Sequence, residues 1–152
     1  VRVLATRLIV GSLIAVAAGC GSGPSLDVEV CGDARASVDA LQLTVLDASR
    51  APVGSGLQRL GPADALPLRL TVPSGPDAAW LRLQGLFEGL EVLRFERRLD
   101  PMADGPVLVA LEGACAGARC VLGQTCLGGV CEPAPETDAA VACEACGDCR
   151  EP

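Results

Sequence analysis

Apolar and polar residues alternate one by one through the middle of the chain. In the stretch 66–72, Leu66, Leu68, Leu70 and Val72 fall on one face and Pro67, Arg69 and Thr71 on the other, the period-two signature of a half-buried strand. The same alternation runs through 26–30, 41–45, 81–83, 93–95 and 107–111, with a weaker candidate at 56–60. Turn-forming residues separate these runs, at 47–56, Gly61-Pro62, 73–76, Glu88-Gly89 and 100–106, as expected between short strands.

Six or seven short strands over 26–113 predict an all-β fold, an antiparallel β-sandwich resembling Ig-like or prealbumin-like domains in broad shape. A helix over 78–98 is the rival reading. Gly85 and Gly89 fall inside it, each costing about 1 kcal/mol in a helix, and the alternation around Arg82 and Arg94 also weighs against it.

Ahead of this region the pattern is different. Arg2 and Arg7 precede an apolar run at 8–18 broken only by Gly11 and Ser12, and no charge follows until Asp27. A charged start, a short apolar run and then small residues make a secretory signal layout, and the run is shorter than the roughly 20 apolar residues a spanning helix needs. It closes on Ala17-Ala18-Gly19-Cys20, which resembles the lipobox of bacterial lipoproteins, with Ala17 where that family favours Leu. The resemblance implies that the Cys20 thiol receives a diacylglycerol, that 1–19 is removed, and that the new amine is acylated. Two or more chains, at about 0.8 kcal/mol per buried methylene, make a firm membrane anchor. Gly21 in place of Asp at the next position implies the outer membrane. The alternative is an ordinary cleaved signal with Cys20 free or disulfide-bonded.

Nine cysteines are an odd number, and setting Cys20 aside leaves eight, an even set suited to an oxidising compartment. Four of them, Cys115, Cys120, Cys126 and Cys131, follow the last predicted strand at C-x4-C-x5-C-x4-C spacing. So short a segment has no core of its own and holds shape through covalent staples. Zinc is the rival, but outside the cytoplasm disulfides are favoured. Spacing leaves the connectivity open; the working expectation is alternating, Cys115 with Cys126 and Cys120 with Cys131. The run Cys120 to Cys131, with Gly123-Gln124-Thr125-Cys126 at its centre, resembles a small disulfide module that follows a β-sandwich in myxobacterial-type predicted lipoproteins. That resemblance implies extracytoplasmic exposure and no particular activity.

The chain ends in Cys143, Cys146 and Cys149 after a Pro-, Ala- and acid-rich stretch. Either two of them pair locally and the third reaches Cys31, or they form a soft-metal or thiol-redox cluster; a variant pairs Cys31 with Cys115. A redox C-x-x-C needs a helix N-terminus on a βαβ scaffold to lower its thiol pKa, and no such scaffold precedes it. The organisation expected is a signal peptide at 1–19, a lipidated tether at 20–25, the sandwich at 26–113, a Cys-rich module at 114–132, a linker at 133–142 and a Cys-rich tail at 143–152.

Composition narrows the chemistry. The 152 residues contain no His, which removes the usual general base near neutral pH and the His-dependent nucleophile pairs. Net charge is −7, and the portion after the signal carries ten Arg against nineteen Asp and Glu, which argues against a nucleic-acid partner. Trp80 falls on the outward phase with Arg82 and Gln84. It is the candidate contact for a protein or carbohydrate partner, unless a loop or the sandwich edge covers it. Glu88, Glu91 and Glu96 alternate with Arg on what reads as a solvated strand face. The expectation is a lipid-anchored, non-enzymatic envelope protein without a cofactor, serving binding, adhesion or structural support; the alternative acts through Cys143, Cys146 and Cys149.

Overall fold

A computed structural model describes residues 23–100, 102 and 105–134. Among these residues the strands are, in order, β1 (Ser25–Gly32), β2 (Ala40–Leu46), β3 (Pro52–Arg59), β4 (Leu68–Pro73), β5 (Trp80–Phe87), β6 (Leu90–Arg98), β7 (Val107–Leu111), β8 (Gln124–Leu127) and β9 (Val130–Pro133). Among the described residues, helical geometry is confined to two 3-10 turns, Ala34–Ser37 and Gly113–Cys115. One sheet has the order β4-β1-β7, a second the order β3-β2-β5-β6, and β8 and β9 form a separate hairpin. The all-β fold read from the alternation is the fold found, and 78–98 makes the β5–β6 hairpin rather than a helix. Its two-residue turn, Glu88-Gly89, has positive φ at both positions, the geometry whose twist matches paired strands.

The alternating apolar residues of the two sheets meet in one core. Val28 and Val30 of β1, Val72 of β4 and Val109 and Leu111 of β7 pack with Leu41, Leu43, Val45, Leu81, Leu83, Leu93 and Phe95 of the second sheet. With aromatic residues scarce, Leu and Val make up most of the largest fully buried side chains, each giving about 1.5–3 kcal/mol.

One ladder departs from the antiparallel expectation. β1 pairs antiparallel with β4 but parallel with β7, Val28 opposite Val107 and Gly32 opposite Leu111. Antiparallel neighbours can be joined by a tight turn, but a parallel pair needs a long crossover, which here is the whole of β2 to β6.

Gly32 closes that ladder at φ 109°. A Cβ there would overlap the Leu111 carbonyl oxygen on the neighbouring strand. Gly32→Ala is therefore expected to lose about 2–3 kcal/mol, from backbone strain and overpacking together. Gly89→Ala, also at positive φ but with nothing near the added atom, should cost about 1 kcal/mol; urea denaturation of both variants measures the difference.

The register defines two ends. At the Ser25 end lie the start of β1 beside Pro73, the start of β7, and Leu46 beside both Pro52 and Trp80. At the Gly32 end lie Leu111, Ala40 beside Leu86, and the Glu88-Gly89 turn.

Candidate functional site

The cysteine-rich segment is built onto the second sheet. Cys115 is joined to Cys126 and Cys120 to Cys131, with Cα–Cα distances of 5.9 and 5.3 Å, so the pairing alternates. Between them β8 and β9 form a hairpin through Gly128-Gly129, and Cys126 and Cys131 stand opposite each other in its ladder. This hairpin adds two short strands to a segment read from the sequence as held in shape by covalent staples. Cys115, Cys120 and Cys126 join the main apolar cluster, so the module shares the core of the sandwich.

Where it docks follows from the sheet order. β6 is an edge strand, and an uncovered edge presents unpaired N–H and C=O groups. The Gly117 N–H donates to the Val92 carbonyl at 2.6 Å, and the Glu96 N–H donates to Thr125 Oγ1 at 3.1 Å. Further along, Ala134 packs against Leu46 and Trp80. The module thereby covers the β6 edge and the adjoining outer face of the sheet.

Beneath it lies a charged cluster. Glu96 is fully buried, receiving a 2.8 Å hydrogen bond from Arg82 Nε and pairing with Arg50. Arg50 reaches in from the loop between β2 and β3, where Asp47 Oδ1 accepts hydrogen bonds from the backbone N–H groups of Ser49 and Ala51. This Asx-type loop holds Arg50 at φ 66° and lays its guanidinium over the Trp80 ring, 3.9 Å from the centroid. Burial lowers the Arg82 pKa, and repulsion from Arg94 and Arg50 lowers it further. On the same face Arg94 Nε donates to Glu91 at 2.7 Å. Burial pushes the Glu91 carboxyl up, but hydrogen bonds from Arg94 and Gln84 and the nearby cations bring it below its ordinary value.

The residues singled out by sequence fall into three groups. Cys20, Cys143, Cys146 and Cys149 lie outside the described residues. Cys31, buried in β1, is disulfide-bonded, and Cys115 is not its partner, since Cys115 holds Cys126. Trp80 is 7% exposed, roofed by Arg50 and Ala134, and offers no open aromatic face. Glu88 and Glu91 are exposed, but Glu96, read as solvated, is buried because residues 113–134 fold back over its side of the sheet. Arg50, Arg82 and Thr125 are its unforeseen partners; the only signal was that Arg82 shares the outward phase.

Among the described residues no group of three or more His, Cys, Asp or Glu is arranged to hold a metal ion. A shallow groove of about 520 Å³ runs over the outer face of β1 and β4. Along it Thr71 is engaged with Asp27 at 2.8 Å and Arg69 with Glu29 at 2.9 Å. Both faces thus carry charges paired across neighbouring strands, one of them beneath a disulfide-braced hairpin. No protein-family model, curated protein or solved structure matches the chain.

Proposed function

We propose that the chain is an exported, lipid-anchored, non-enzymatic protein of the bacterial cell envelope, whose β-sandwich serves binding, adhesion or structural support. Cys20 is its lipid attachment point, placed after a short apolar run and Ala17-Ala18-Gly19. The observation that carries the reading is the way the cysteines are used. Cys115, Cys120, Cys126 and Cys131 form two bridges and Cys31 is also disulfide-bonded, a pattern that persists in oxidising compartments. Assigning Cys20 to the lipid leaves the other eight cysteines an even set.

Intact mass of the membrane-extracted protein, reduced and unreduced, tests this directly. The expected product begins at Cys20, carries acyl chains, and gains two hydrogen atoms per bridge on reduction. Cys20→Ser should lose the acyl mass and leave the membrane fraction. A processed product without acyl chains, or a Cys20→Ser variant that stays membrane-bound, would sink the proposal.

A further inference from the structure

Two of the most exposed large apolar side chains are neighbours: Val121 is 64% and Leu122 66% exposed. They open a tight turn in which the Gln124 N–H donates to the Val121 carbonyl at 3.0 Å and the Val121 N–H donates to Gln124 Oε1 at 3.2 Å. Cys120, the residue before Val121, is tied to Cys131, so the pair is held outward by a covalently braced frame.

The position of this turn matters more than its exposure. A Cβ added at Gly123 would stand 3.6 Å from Arg50 Nη1, and the Ala134 N–H donates to the Gly123 carbonyl at 2.9 Å. Arg50 lies over Trp80 and Ala134 packs against Trp80 and Leu46, which places the turn at the Ser25 end of the sandwich. The exposed apolar residues Phe87 and Leu90 flank the β5–β6 turn at the opposite end.

The chain from Cys20 to Ser25 is five residues, with a reach of at most about 18 Å. An acyl group on Cys20 would therefore keep the Ser25 end close to the headgroups and the Gly32 end away from them. We propose that Val121 and Leu122 form a membrane-contact tip that seats on a zwitterionic lipid surface and sets the tilt of the domain; this rests on Cys20 being lipidated. What singles the pair out is its place at the anchored end, since apolar side chains of interfacial proteins sink to the headgroup boundary. Charges of both signs stand at this end, Asp47 and Arg50 in one loop and Arg98 opposite Trp80, so no net attraction to an anionic surface is called on.

Trp80, the single tryptophan of the chain, lies at this end and serves as the reporter. The full lipidated protein is reconstituted in phosphatidylcholine vesicles carrying a headgroup nitroxide. Trp80 fluorescence should be quenched in the parent and in Phe87→Asp/Leu90→Asp, and the quenching should be lost in Val121→Asp/Leu122→Asp although that variant still floats with the vesicles. As a second readout, the amides of 121–124 in the parent should exchange with deuterium more slowly on vesicles than in soluble Cys20→Ser protein. Flotation with an unquenched parent, equal quenching in the tip variant, or unchanged exchange at 121–124 overturns the tip alone. Failure to float overturns the anchoring proposal and the tip with it.

Discussion

Glu96→Ala is expected to lower the unfolding free energy by about 3–4 kcal/mol, because it strands two guanidinium groups where one carboxylate had served both. The figure sits low in the range for a broken buried pair because the Arg50 and Arg82 side chains keep 26% and 13% of their exposure. The net contribution of the intact cluster is a separate matter. Taking three charged groups out of water costs about as much as their mutual attraction returns, so the triple variant Arg50→Met, Arg82→Met, Glu96→Met should lie within about 1 kcal/mol of the parent. Equilibrium denaturation of both variants separates the two quantities. A Glu96→Ala protein as stable as the parent would show that the cluster is solvated.

Opening both bridges of the module has the larger effect. Each joins residues 11 apart, a loop length for which the chain-entropy account gives about 3 kcal/mol per bridge. The change should be local. The segment 113–134 loses its attachment to β6, and the part of the core that Cys115, Cys120 and Cys126 line opens with it. Cys115→Ala/Cys120→Ala/Cys126→Ala/Cys131→Ala should show fast amide exchange at Glu96, whose N–H bonds to Thr125 Oγ1. Gly117, whose N–H bonds to Val92, should be fast as well. Trp80 emission should shift to the red as Ala134 leaves it. Slow exchange at Glu96 in that variant would mean that the hairpin docks without its bridges.

The strands were legible because each carries its own evidence. A half-buried strand writes period two into consecutive residues: the runs at 26–30, 41–45, 66–72 and 107–111 mark β1, β2, β4 and β7, and shorter ones at 81–83 and 93–95 mark β5 and β6. β3 was faint because Gly54, Ser55 and Gly56 interrupt its apolar alternation. A side chain at Gly54 would overlap the Pro73 carbonyl, so close approach of the two sheets decides that residue. The parallel partnership of β1 with β7 leaves no local mark, since it joins Val28 to a residue nearly eighty positions away. The burial of Glu96 was hidden for the same reason. Its alternation phase correctly points outward, and what covers it comes from Thr125, 29 residues further on. The disulfide segment was visible as a staple-dependent unit, but its hairpin strands are four residues each, too short to show a period.

The central place of β1 also bears on how the domain carries load. A protein held at its amino end and pulled through its far loops transmits tension along β1, which is bonded on both sides. Six register pairs tie it to β4 and five to β7. Those hydrogen bonds lie across the direction of pull, so they share the force and must fail together instead of opening one after another from an end. Among the described strands, β1 is thus the one best placed to withstand traction from that end.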